Sequence, residues 1–280
     1  DRNIVDLIWF PTGGGKTEAY LGLTAFTIFY RRLVHKDCSA GTTVIMRYTL
    51  RLLAAQQFTR AATLICACEF IRRDSLQKSS KYKAYSLGDE EISIGLWIGG
   101  EHTPNRNKQA KEHLDQLIKS TVDNINENKD KHNKFQVLKC PWCGTKLVKD
   151  KHDGHLIGQF GYRMKNNSHF ELFCPQESCY YNQIGKLPIQ IVDEELYRMP
   201  PTLLFGTVDK FAMMAWDGRI GSFFGANSNN RTPELIIQDE LHLISGALGT
   251  MVGLYESAID GLCSMKGIKP KIIASTATIR

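Results

Sequence analysis

Short apolar runs alternate along most of this chain with longer segments of helical apolar spacing, the pattern of a wound α/β sheet. Residues 4–10 read as a buried strand, 42–46 as a second and 92–98 as a third, and 203–207, 235–239 and 272–275 supply three more. Residues 17–33, 50–72 and 248–262 repeat apolar side chains at the period of a helix. The rhythm breaks in the middle, where the composition turns polar from about 101 to 192. Within it, 105–134 carries one weak apolar stripe (Leu114, Leu117, Ile118, Val122, Ile125) and predicts a long, mostly solvated helix. Residues 139–181 then set paired cysteines among short aromatic-rich strands. The expected organisation is one α/β domain in two parts, 1–100 and 193–280, with 101–192 an insertion of helix and cysteine ribbon.

Composition narrows the class. At 280 residues, 42% hydrophobic and 23% charged, the chain can bury a sizeable core, which excludes disorder, collagen and coiled coil. The longest mostly apolar stretch, 20–30, is interrupted by Thr24 and Thr27, so no membrane span is expected. The start, Asp1-Arg2-Asn3, runs straight into an apolar strand without a leader, as in a piece of a larger protein. The formal charge of +6 is mildly basic and suits a nucleic-acid partner without establishing one. Eight cysteines without a secretion signal point to a cytoplasmic protein in which some of them bind metal.

Thr12-Gly13-Gly14-Gly15-Lys16-Thr17 stands directly between a predicted strand and a predicted helix. Three glycines let the backbone curl so that successive N–H groups face an anion, and the helix N-terminus adds the positive end of its dipole. Lys16 would reach the β- and γ-phosphates of ATP, and Thr17 would ligate Mg²⁺. A strict Walker loop has Gly five residues before the Gly of Gly-Lys-Thr; here that position is Phe10.

Leu235-Ile236-Ile237-Gln238-Asp239-Glu240-Leu241-His242 is an apolar strand ending in two carboxylates and a histidine. Alone it would read as a strand capped by solvated acids. Paired with the phosphate loop, it supplies what a nucleoside triphosphatase needs, with Asp239 holding Mg²⁺ and Glu240 serving as general base.

These residues resemble superfamily 2 helicases of the DEAD/H-box group. Asp239-Glu240-Leu241-His242 resembles their DExH motif, and Ser275-Thr276-Ala277-Thr278 their third motif, usually Ser-Ala-Thr, which links hydrolysis to strand movement. Arg51-Leu-Leu-Ala-Ala-Gln56 resembles motif Ia, although Thr49-Leu50 replaces the common Pro-Thr. Gly99-Gly100 and Thr207-Val-Asp209-Lys-Phe211 resemble the Gly-Gly and Ib elements, with Val208 in place of Pro. The resemblance implies a RecA-like P-loop parallel sheet flanked by helices. It implies nucleotide contacts from Thr12, Gly13, Gly14, Gly15, Lys16, Thr17, Asp239 and His242. It implies nucleic-acid contact or coupling at Arg51, Gln56, Gly99, Gly100, Thr207, Asp209, Thr276 and Thr278. A narrower resemblance is to the helicase subunit of bacterial anti-phage DISARM systems. It rests on Trp9-Phe-Pro-Thr-Gly-Gly-Gly-Lys-Thr-Glu-Ala19, on Gln238 through Gly246 and on Gly253-Leu-Tyr-Glu256, and implies single-stranded DNA and a partner subunit. Motifs IV to VI and the arginine finger, which belong to a second RecA-like domain, are not in this sequence, so the isolated chain is expected to hydrolyse ATP very slowly.

Cys140-Pro-Trp-Cys143 and Cys174-Pro-Gln-Glu-Ser-Cys179 have the spacing of a four-thiolate Zn²⁺ ribbon; two reduced or disulfide-bonded pairs are the alternative. A ribbon this small is not expected to hold itself by apolar burial. His152 and His155 read as solvated, and Phe160, Tyr162, Phe170 and Phe173 as packing under the ribbon. Cys38, Cys66, Cys68 and Cys263 read as small apolar residues or plain thiols, Met213, Met214 and Trp216 as core, and Lys78, Lys81 and Lys83 as a solvated basic loop. The functional expectation is the ATP-binding half of a DNA helicase or translocase with ATP, Mg²⁺ and Zn²⁺. An RNA helicase, a duplex translocase that does not unwind, and a nucleotide-switched zinc-ribbon scaffold are the alternatives.

Overall fold

The computed structural model describes residues 1–9, 15–49, 51–77, 79–119, 133–152, 155–226, 228–244 and 247–276. Seven strands form one parallel sheet: β1 (Asp6–Trp9), β2 (Val44–Tyr48), β3 (Ile94–Trp97), β8 (Ile189–Gln190), β9 (Leu203–Thr207), β10 (Leu235–Gln238) and β11 (Lys271–Thr276). Their order across the sheet is β1-β11-β10-β2-β9-β3-β8. β2, β3, β9 and β10 are buried along their whole length, which is why they read as continuous apolar runs. Six of the seven strands were legible in this way. β8 was not, because two residues carry no pattern; it pairs with β3 from within the polar middle span.

Side chains alternate between two cores. Val44, Met46 and Tyr48, with Leu203, Phe205, Leu235 and Ile237, face α1 (Lys16–Val34) and α2 (Arg51–Ser75). Ile45, Leu204 and Ile236 face the other layer, with Trp97, Phe211, Phe223 and Ile259. That layer includes α5 (Asp193–Arg198), α6 (Val208–Phe211) and α7 (Ala247–Ser264). The far end of α1 is pinned by Arg31, which is fully buried and donates to the carbonyls of Ser39, Ala40, Thr42, Arg231 and Thr232. Burial lowers its pKa to about 10, so it stays charged at neutral pH.

The middle span contains α3 (Asn107–Lys119), the hairpins β4 (Asp150–His152) with β5 (His155–Ile157) and β6 (Tyr162–Lys165) with β7 (His169–Leu172), and α4 (Tyr180–Ile184). The predicted helix over 105–134 is shorter at its end: residues 133–135 are not helical, and the Asn133 Oδ1 accepts the Phe135 N–H instead. Val122 and Ile125 lie outside the described residues. Ala110, Leu114 and Leu117 are buried, so one face of α3 packs rather than being solvated, while Ile118 points outward at 55% exposure. Phe135, Tyr162 and Phe170 stack at 4.5–6.2 Å between ring centroids.

This corrects the expectation that the ribbon lacks an apolar core. Its buried Leu147, Leu172 and Tyr181 run without a break into Ile65 and Cys66 of α2. The Tyr181 hydroxyl donates to the Cys66 carbonyl at 2.6 Å, and Phe70 of α2 packs against Trp142 and Tyr180. Among the described residues, no helix is long and apolar enough to cross a membrane.

Gly95 in β3 shows how closely α5 is seated. A Cβ there would lie 2.4 Å from Leu196 Cδ2 and 2.6 Å from Pro201 Cγ. The proline ring cannot rotate aside, so Gly95→Ala should cost about 1–3 kcal/mol by overpacking. Urea denaturation of the variant against the parent checks this; unchanged stability would show that α5 is not held against β3.

Candidate functional site

The parallel sheet brings the carboxyl ends of β1, β11 and β10 side by side, with Trp9 opposite Thr276 and Gln238 opposite Ala274. Gly15 precedes α1 in a left-handed conformation (φ +78°) that a side chain would strain, and among the described residues no side chain caps the helix. First-turn N–H groups at a helix start suit an anion. Lys16 and Thr17 open the helix and are half-buried. Glu18, in the same turn, is drawn toward α2 by an ion pair with Arg60. Thr12, Gly13 and Gly14 lie outside the described residues.

Asp239 follows β10 and is buried. Its Oδ1 accepts from the Ser275 hydroxyl at 2.5 Å and from the Glu240 N–H at 3.0 Å, while its own N–H donates to the Arg47 carbonyl at 3.1 Å. Both of these bonds fall on Oδ1 and fix the carboxylate through that one oxygen. Glu240 takes a left-handed backbone (φ 50°), unusual for a residue with a side chain, and turns the chain into the short helical turn Leu241–Leu243. His242 Nδ1 lies 3.3 Å from a Glu240 carboxylate oxygen and 3.1 Å from the Thr276 hydroxyl. The acidic motif and the third motif therefore meet at two contacts, Asp239 with Ser275 and His242 with Thr276.

Sequence reasoning placed Thr276 here but gave no role to Ser275, although it heads the same motif. It also missed Tyr20, one turn along α1 from Lys16. That phenol is buried beneath the site, and its pKa is pushed up to about 12, by burial above all, with Asp239 and Glu240 acting in the same direction and the Ser275 hydroxyl opposing.

The residues assigned to nucleic-acid contact lie along the same edge, at the ends of other strands. Gly99 follows β3 with φ +101°, and a Cβ on Gly100 would come within 2.6 Å of the Asn105 amide. Gln56 is exposed on α2. Thr207 ends β9 fully buried, with its hydroxyl unpartnered among the described residues, and Asp209 follows in α6. Arg51 begins α2, whereas Thr278 and Lys78 lie outside the described residues. The reading of Met213 and Trp216 as core fails: they are 45% and 83% exposed on the turn after α6. A four-residue turn has too little surface to bury both while Phe211 fills the core beside it.

The second candidate centre is the cysteine cluster. The sulfurs of Cys140, Cys143, Cys174 and Cys179 lie within 4.8 Å of one another, with Cys143 to Cys174 at 3.5 Å and Cys140 to Cys179 at 4.0 Å. A tetrahedral ion with Zn–S of about 2.3 Å places its sulfurs about 3.8 Å apart, whereas a disulfide needs about 2.0 Å. The donor set therefore fits zinc and not two disulfides. Burial pushes the Cys143 thiol up, but Thr145 and the neighbouring Cys174 and Cys179 outweigh it and draw it down to about 7. That lowering favours the thiolate form a metal ion would need. His155 is exposed, away from this cluster.

No family model matches the chain. DISARM protein DrmA of Bacillus paralicheniformis is 39% identical over 319 aligned residues, covering all of this chain and 27% of DrmA. The chain is a relative of DrmA. It spans about a quarter of that relative's length, 27%. Among solved structures, Mycobacterium smegmatis helicase Lhr bound to ssDNA and AMP-PNP shares 15% identity at a TM-score of 0.47, covering 98% of this chain and 21% of Lhr. The DUF1998 helicase MrfA shares 14% at 0.30, covering 91% of this chain and 26% of MrfA.

The cysteine geometry makes a direct prediction. Metal analysis of the purified protein should find about one zinc per chain, and Cys174→Ser should lose it. Because the ribbon shares its core with α2, the same variant should also unfold at lower temperature rather than merely fray. Stoichiometric zinc in the Cys174→Ser protein would refute the ligand set.

Proposed function

We propose that this chain is the ATP-binding half of an ATP-dependent DNA helicase or translocase that serves in anti-phage defence, with zinc held by its inserted ribbon. The observation that carries this reading is the double contact between the acidic and third motifs beside the start of α1. A nucleotide switch without chemistry would have no use for a second carboxylate beside the first. The similarity to a DISARM protein supports the defence setting.

In this reading the first-turn N–H groups of α1 and Lys16 hold the β- and γ-phosphates. Thr17 and the Asp239 carboxylate would hold the metal. Mg²⁺ supplies charge neutralisation on the phosphates when bound. Glu240 takes the proton of the attacking water as the γ-phosphoryl bond breaks. Ser275 fixes Asp239, and Thr276 meets His242, so a shift of β11 is felt at both ends of the acidic motif. Zinc, on the four thiolates, would hold the ribbon against α2.

Two variants of the full-length protein separate binding from chemistry. Lys16→Ala should weaken nucleotide binding. Glu240→Gln should bind ATP nearly as well as the parent but turn over about 10²–10⁴-fold more slowly, because the amide keeps the shape and cannot accept the proton. Fluorescent-nucleotide titration with single-turnover hydrolysis measures both. Equal loss of binding in the two variants, or parental turnover by Glu240→Gln, would remove Glu240 from the role given to it.

A further inference from the structure

Arg47 is a charged residue inside the apolar strand β2, and it is 3% exposed. It stands in register with Gln238 of β10 on one side and Gly206 of β9 on the other. The strand alternation puts these three on the face of the second core, each two residues beyond Ile45, Ile236 and Leu204. A guanidinium in the middle of a parallel sheet is costly to desolvate and persists only where something compensates it. Here one ion pair does so, to Glu256 on α7, and the guanidinium carbon lies 5.8 Å from the centroid of the Phe211 ring on α6. Its Nε has no hydrogen-bond partner among the described residues. Neither has the Oε1 of Gln238, its register neighbour on the same face. An unpaired donor and an unpaired acceptor stand on adjacent strands, and the acceptor belongs to the residue immediately before Asp239.

The backbone of Arg47 reinforces the connection. Its carbonyl accepts the Asp239 N–H at 3.1 Å and the Gln238 side-chain amide at 3.4 Å. Phe211 is itself tightly placed, since a Cβ on Gly206 would come within 3.1 Å of its ring and 3.4 Å of Trp97. One side chain therefore touches the helix that follows the acidic motif and the short helix that follows β9. Both elements leave the sheet over the same edge.

We propose that Arg47 is a positioning residue that couples α6 to the acidic motif. Movement of Phe211 or of α7 shifts the guanidinium between Glu256 and the waiting Gln238 Oε1, and so biases the strand end that carries Asp239. No bond is made or broken beyond these hydrogen bonds. The inference rests on the helicase reading for what α6 senses, a nucleic-acid strand, but the coupling itself is a property of this cluster.

The test uses full-length protein with Arg47→Met, Arg47→Lys and Glu256→Gln. The last opens the same ion pair from its more exposed end and should fold normally. The first readout is the ratio of ATP turnover with and without single-stranded DNA. Arg47→Met and Glu256→Gln should lower this ratio at least about fivefold while the nucleotide KM and unstimulated kcat stay within about twofold, and Arg47→Lys should recover part of it. The second readout needs no nucleic acid: AMP-PNP should change hydrogen exchange in 208–216 of the parent, and Glu256→Gln should abolish that change. A parent without DNA stimulation defeats the helicase reading and leaves the second readout to judge Arg47. Unaltered exchange in 208–216 of the parent, an unchanged response in Glu256→Gln, or a proportional fall of every kinetic parameter would overturn the coupling role.

Discussion

Because all seven strands of the sheet run the same way, every segment that leaves a strand does so over the same edge. The rest of the structure depends on that constraint. Residues as distant in sequence as Asp239 and Ser275, or His242 and Thr276, become neighbours because β10 and β11 lie side by side. Residues that follow β2, β3 and β9 line up further along the same edge. A parallel sheet needs both faces covered, and α1 and α2 on one side with α5 to α7 on the other leave the carboxyl edge as the place where ligands can enter.

Within that frame, the hydrogen bond from Ser275 to Asp239 has a particular consequence. It fixes the Asp239 carboxylate through one of its oxygens. It also makes the position of the acidic motif depend on β11. The left-handed turn at Glu240 completes the arrangement, since an extended residue there would carry its carboxylate off in a different direction. The ribbon adds a second dependence. It shares the α2 core through Tyr181, Trp142 and Tyr180, so the thiolate cluster sits on the helix whose first residue is Arg51. Loss of a metal bound there should therefore be felt by the parallel-sheet domain and not only by the insertion.

The α/β layering, six of the strands, the helix following the phosphate loop, the acidic motif and the four cysteines were legible in the sequence because each has a local signature: an apolar run, a glycine cluster, a pair spacing. Ser275, Tyr20 and Arg47 were not, for physical reasons. Ser275 matters through a partner 36 residues away, and Tyr20 reads as any apolar helix residue. Arg47 does leave a trace, a single charge in Val44-Ile-Met-Arg-Tyr48, but its partners come from α7 and α6. The exposure of Trp216 was misread because a large aromatic is buried more often than not, and only the brevity of its turn keeps it out. The ribbon's core was underestimated because its aromatics are scattered over 135–181 and converge only after folding.

The central claim is that Asp239, steadied by Ser275, faces a metal–nucleotide complex at the head of α1. Electron paramagnetic resonance of Mn²⁺ with AMP-PNP and the full-length protein tests it most directly. The account predicts that the parent binds Mn²⁺ tightly only when nucleotide is present. It predicts that Asp239→Asn weakens this binding by about tenfold or more and Ser275→Ala by a smaller factor. Parental Mn²⁺·nucleotide binding in Asp239→Asn would contradict it.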